Sequence, residues 1–280
     1  MKSKLYQIFK KENNIVIGMV HFPPLFGYKD FPGIDVCLKK VLQDAKTLKR
    51  GGVDGLMVEN NYDIPHKTFV GQGTVDMMIT LTKAIVKKIS IPIGISVLWN
   101  DYKAALTIAK KCGGKFIRVP VFVDSVRTQY GEILAEPEKV LAFRKEKGSS
   151  DIALFTDIHV KHAEMLKDRT ISESAKEAVE KGSDALIITG KWTGDMPNIQ
   201  ELKEARKTAG KDFPIFVGSG TTKENAATLL RYANGTIVGT SLKTGRAQNK
   251  EKEVNLKPWQ ENISLKKTKE FMEVINNIDN

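Results

Sequence analysis

A chain of 280 residues with 41% hydrophobic content and a formal net charge of +11 can bury a full core as one α/β domain spanning residues 1–280. Its two cysteines, Cys37 and Cys112, each sit in a helical pattern, which argues against a disulfide framework or a cysteine-built metal site and for a reducing, cytoplasmic setting. No run of eighteen apolar residues occurs, the first residues lack the apolar core of a secretory signal, and the lysines are scattered among acids without interleaved aromatics. Neither a transmembrane segment nor a nucleic-acid partner is therefore expected.

In chain order, short apolar runs alternate with amphipathic stretches. Strands are predicted at Ile15–Val20, Gly55–Val58, Ile93–Leu98, Phe116–Val121, Ile152–Ile158, Ala185–Thr189, Ile215–Val217 and Thr236–Val238. Helices fall between them at Val36–Arg50, Val75–Ile89, Tyr102–Lys111, Pro137–Lys147, Ile171–Lys181, Asn198–Thr208 and Lys223–Tyr232. Glycines stand just after most of the helical patterns, where C-terminal caps need positive φ. Eight βα beats with apolar strands predict a single (β/α)8 TIM barrel, with an N-terminal extension over 1–14 and a C-terminal segment over 242–280 ending in a helix at Leu265–Ile275. A doubly wound sheet fits less well, because the first strand runs into His21-Phe-Pro-Pro24 rather than a glycine-rich loop.

Chemistry in such a barrel gathers at the C-terminal ends of the strands. The last two predicted strands end in Gly218-Ser219-Gly220 and Gly239-Thr240-Ser241. Glycine lets the backbone approach an anion closely, the hydroxyls donate, and a helix expected just after Thr222 would add partial positive charge, so this pair is a candidate phosphate site. The other strand ends supply His21, Glu59, Asn60, Arg118, Thr189, Gly190 and the group Asp157, His159 and Lys161. His21 with Glu59 makes a candidate acid/base pair. Asp157 and His159 are two apart and would face the same way if the strand persists, so with Glu59 they could offer oxygen and nitrogen donors to a divalent metal, although a hydrogen-bonded cluster without metal fits the spacing as well. Lys161 is a candidate nucleophile or anion binder. Arg118, in an apolar strand, needs an acidic partner, with Asp157 the natural choice, or an anionic ligand. No other cofactor is indicated.

Several ordered segments together carry a family resemblance: Gly18-Met-Val-His21, Gly52-Val-Asp-Gly-Leu-Met-Val-Glu-Asn60, Phe116-Ile-Arg-Val119, Asp157-Ile-His-Val-Lys-His162, Ala185-Leu-Ile-Ile-Thr-Gly190, Val217-Gly-Ser-Gly220 and Ile237-Val-Gly-Thr-Ser-Leu-Lys243. Over roughly residues 14–276 the chain resembles the BtpA family, which includes the SgcQ proteins. That resemblance implies a ribulose-phosphate-binding type of TIM barrel. It points to two kinds of role: a cyanobacterial factor needed for photosystem I accumulation, and proteins of sugar-metabolism gene clusters. No reaction is transferred with it. The rim motifs and the resemblance together predict an enzyme working on a small phosphorylated metabolite, such as a sugar phosphate or phosphoribosyl compound, by isomerisation, epimerisation or aldol cleavage. A non-catalytic assembly factor and a glycosidic or nucleosidic hydrolase are the alternatives. A homo-oligomer is expected.

Overall fold

The computed structural model describes residues 3–246 and 254–278, so parts of the expected terminal segments (1–2, 247–253 and 279–280) lie outside it. Eight parallel strands close into a barrel: β1 (Ile15–His21), β2 (Gly55–Glu59), β3 (Ile93–Ser96), β4 (Phe116–Val119), β5 (Ala153–Ile158), β6 (Ala185–Ile188), β7 (Ile215–Val217) and β8 (Gly235–Val238), with β8 returning to pair with β1. The helices are α1 (Lys4–Phe9), α2 (Ile34–Gly51), α3 (Gln72–Val86), α4 (Tyr102–Cys112), α5 (Pro137–Glu146), α6 (Ile171–Glu180), α7 (Ile199–Ala209), α8 (Ala226–Leu229) and α9 (Leu265–Asn276). Among the described residues no helix is long and apolar enough to cross a membrane.

Alternation along the strands divides the core in two. One set, including Val16, Val20, Leu56, Val58, Leu154 and Leu186, packs outward against the helices. The other, including Ile17, Met19, Met57, Phe155, Ile187 and Ile237, fills the barrel, as the period of two requires. Phe155 stacks between Phe116 and Phe216, with ring centroids 4.7 and 5.0 Å away. Gly94 makes room for this layer: a Cβ there would lie 2.1 Å from the Phe116 ring.

The short α1, capped by the Ser3 hydroxyl, sends Leu5 and Phe9 into the same interior. Phe9 lies 5.6 Å from Phe116 and 6.4 Å from Phe216 by ring centroid. This extension therefore stoppers the end of the barrel where the strands begin. On the outside of the barrel α9 packs beside α2, where Gly51 is so close to Thr268 that an added Cβ would sit 2.2 Å from its methyl.

Two features depart from the sequence reading. A three-stranded antiparallel sheet of residues Val126–Thr128, Gly131–Ile133 and Ala163–Met165 stands over β4 and β5. It covers a satellite core with Trp99, Val121 and Val160. The helix expected over Lys223–Tyr232 shrinks to the single turn of α8. The cause is local: Asn225 accepts the Thr222 N–H at 2.8 Å and donates to the Gly220 carbonyl at 2.9 Å, so residues 220–225 fold as a tight turn.

Candidate functional site

The inward parity that fills the barrel with apolar residues turns polar in its top layer. Met19 is followed inward by His21, Met57 by Glu59, Phe116 by Arg118, and Phe155 by Asp157. The register sets His21 level with Glu59, and Glu59 level with Ser96. Ser96 Oγ donates to Glu59 Oε2 at 2.9 Å, and Arg118 Nη1 lies 3.4 Å from the same oxygen. His21 Nε2 lies 3.8 Å from Glu59 Oε1. Arg118 grips Asp157 with both arms, Nε to Oδ1 at 2.8 Å and Nη2 to Oδ2 at 2.7 Å. Burial opposes the Arg118 charge, but the two carboxylates outweigh it and keep the guanidinium protonated.

Above this layer a cavity of about 840 Å³ opens, lined by His21, Glu59, Arg118 and Lys161 and by both glycine loops, Gly218–Gly220 after β7 and Gly239–Ser241 after β8. Other expected site residues stand behind its wall. Asp157 is 1% exposed, with both oxygens on Arg118 beneath the floor. The strand ends at Ile158, and His159 turns with φ 50°, its N–H donating to Asp124 Oδ2 at 3.2 Å. That left-handed step breaks the alternation on which a shared Asp157/His159 ligand depends. With Asp157 committed to Arg118 and His159 off the cavity, Glu59, Asp157 and His159 do not fit a metal ion. Among the described residues no group of three His, Cys, Asp or Glu is placed to hold one. Asn60 instead holds the loop after β3, accepting the Leu98 N–H at 2.8 Å. Thr189 Oγ1 accepts the Lys161 N–H at 3.1 Å, and Gly190 packs against the backbone of Asp195, 2.4 Å from where a Cβ would be.

The glycine loops are cradle-shaped. Among the described residues the backbone N–H groups of Ser219, Gly220, Thr221 and Gly239 have no hydrogen-bond acceptor. Gly220 has φ +63°, and a Cβ there would lie 2.2 Å from backbone atoms of Asp195 and Met196, so only glycine fits this turn. Ser219 Oγ accepts the Gly194 N–H at 3.3 Å, tying the loop after β6 to the cradle. Because α8 is one turn long, the helix-end charge expected beside this site is not available to it, and the loop N–H groups stand alone.

Cations dominate the field in the cavity. Lys161, whose Nζ lies 3.4 Å from Thr193 Oγ1, is brought down to about 8 by burial and then by Arg118. Burial, followed by Lys243 and Lys161, holds His21 well below its usual range. His66 falls to about 4 through burial, and His162 to about 3 through burial and Lys161. All three imidazoles are thus neutral near pH 7. His162 Nε2 accepts the Thr193 N–H at 3.2 Å, which leaves its proton on Nδ1.

Three contributors escaped the sequence reading. Tyr62 follows Asn60 and Asn61 by one or two places, and Lys243 lies five residues past the end of β8; their closeness to strand ends was the only signal. The segment Val254–Lys257 roofs the cavity without any periodicity to announce it. Asn255 fastens it to Asn61, donating to its carbonyl at 3.0 Å and accepting from its side-chain amide.

The BtpA family model matches residues 12–264. The Photosystem I biogenesis protein BtpA of Synechocystis is 38% identical over 242 residues, covering 85% of this chain and 83% of its own length. Among solved structures, thiamine phosphate pyrophosphorylase from Pyrococcus furiosus superposes with a TM-score of 0.59 at 11% identity, covering 96% of this chain and 99% of that one. N-(5'-phosphoribosyl)anthranilate isomerase from the same organism gives 0.55 at 12%, covering 94% and 99%. The last two share the fold with this protein. The family match over most of the barrel, together with the Synechocystis relative, places this chain in the BtpA family.

Proposed function

We propose that the protein is an enzyme acting on a small phosphorylated metabolite by proton transfer beside a carbonyl, as in isomerisation, epimerisation or aldol cleavage. One observation carries the reading: a single cavity holds both the unoccupied N–H donors of two glycine loops and the group His21, Glu59 and Lys161. The loops suit a phosphate dianion, which accepts several N–H bonds at once. In this reading Glu59 removes the proton, from carbon in isomerisation or epimerisation and from the β-hydroxyl in aldol cleavage, where the C–C bond electrons pass to the enolate that is then protonated on carbon. The Lys161 ammonium polarises the carbonyl oxygen, which burial and then the field of Arg118 favour by bringing its pKa to about 8. Neutral His21, level with Glu59, is placed to relay the proton. Two fold relatives whose names include a phosphate or phosphoribosyl compound add weight. The name of the Synechocystis relative raises the assembly-factor alternative, which calls for no donors in the cavity.

Isothermal titration with sugar phosphates, on the wild type and on Thr240→Asp, tests the reading. The new carboxylate would stand in the cradle on a partly exposed residue, where it repels a phosphate without disturbing the core. Binding of at least one ester, lost in Thr240→Asp, is expected. The bound ester should then exchange a carbon-bound hydrogen with D2O, by NMR, in wild type and not in Glu59→Gln. Folded protein that binds no phosphate ester would overturn the proposal.

A further inference from the structure

The wall of the cavity opposite Lys161 is built from buried ammonium groups. Lys243 is 3% exposed and Lys257 is 6% exposed, and both line the cavity with Lys267 and Tyr62. Lys257 Nζ donates to the carbonyls of Lys243 and Thr244, each at 3.0 Å, and Lys267 Nζ donates to the Lys243 carbonyl at 2.8 Å. Lys257 thus spends two of its three protons on the backbone, and Lys267, which is exposed, spends one. Lys243 Nζ, by contrast, is buried and turned to a side chain. It meets the Tyr62 hydroxyl at 3.0 Å, and that hydroxyl in turn donates to the Lys257 carbonyl at 2.6 Å. Of three ammonium protons, one is used within the protein.

Among the described residues none of the three has a carboxylate within 4.0 Å. The contrast is Lys40, equally buried close by, whose Nζ lies 2.6 Å from Asp44. A buried cation without a counter-ion is costly, and other cations beside it make it costlier. Burial, Lys40 and Lys257, partly offset by the more distant Asp44 and Glu261, bring the Lys243 pKa down to about 8, which still leaves it largely protonated at neutral pH. The stretch Gly239–Lys243 joins this wall to the phosphate cradle, and the volume of about 840 Å³ exceeds what a lone phosphate needs.

We infer that Lys243, oriented by Tyr62, is a second anion subsite, so that the metabolite carries two anionic groups, a phosphate on the glycine loops and a second phosphate or a carboxylate on Lys243 Nζ. This inference rests on the phosphate reading above and narrows its substrate class.

The test uses matched pairs on the full chain by isothermal titration at pH 7: fructose 6-phosphate against fructose 1,6-bisphosphate, and glucose 6-phosphate against 6-phosphogluconate. Wild type is expected to bind the doubly anionic member of at least one pair tenfold tighter or more, and the pair that responds tells a second phosphate from a carboxylate. Lys243→Gln should abolish that advantage and leave the monophosphate within about twofold, while Lys243→Arg retains it. If Lys243→Gln does not fold, Tyr62→Phe, which frees the ammonium from its guide, should shrink the advantage. Monophosphate binding without any advantage, or an equal loss of both ligands in Lys243→Gln, would overturn this inference and leave the first reading standing. Failure of every ester to bind would overturn both.

Discussion

Replacing Asp157 with Asn strips the counter-ion from a guanidinium that has almost no access to water. The Arg118 and Asp157 side chains are 10% and 0% exposed. Asparagine keeps one acceptor for Nε but turns an NH2 toward Nη2, donor against donor. Breaking a buried pair costs about 3–5 kcal/mol, and Glu59, 3.4 Å from Nη1, offsets part of it, so we expect about 3 kcal/mol. For a chain of this size that is a fall in Tm of roughly 6 °C, readable by circular dichroism. The cycle with Arg118→Met and Asp157→Leu sharpens the test, because removing both charges together should cost less than either single change. Single substitutions costing under about 1 kcal/mol, or a double mutant equal to the sum of the singles, would refute the claim that the pair is one buried unit beneath the cavity floor.

Other perturbations probe separate parts. Phe9→Ala removes the stopper of the barrel and should cost about 3 kcal/mol, measured by urea denaturation. Lys161→Met should change the pH dependence of stability in a defined direction. The folded pKa is about 8, below the usual lysine value of about 10.4, so the folded state is penalised for holding this proton at neutral pH, and between those two values the unfolded chain binds more protons. The variant should therefore be more stable than wild type at pH 7, with the gain fading as pH rises from about 8 to about 10.4. A Tm difference constant across that range would contradict the burial of this ammonium.

The barrel was legible because short apolar runs alternate with amphipathic stretches and glycines such as Gly52 and Gly113 cap the helical patterns, and His21, Glu59 and Arg118 were legible as polar residues at the ends of those runs. What stayed hidden depends on distant partners. Nothing in Asp157-Ile-His159 signals that Asp124 takes the His159 N–H and turns the chain aside. The side sheet has strands of three residues, too short for a pattern. The residues around Lys223 read as helical, yet the Asn225 side chain competes for the backbone and wins. Lys243 looks like any other lysine of a basic chain until the fold buries it beside Tyr62.

The pairing of β1 with β8 joins Ile15 to Gly235, and this has a consequence for biosynthesis. Until Gly235–Val238 has left the ribosome, the nascent sheet carries two raw edges, Ile15–His21 and Ile215–Val217, each able to recruit a strand from another molecule. The roof over the cavity comes later still, with Val254–Lys257. A message truncated between these points would thus yield a closed ring of strands without its roof or α9, leaving the α2 face that α9 covers bare, whereas one truncated before Gly235 would yield an adhesive, aggregation-prone sheet.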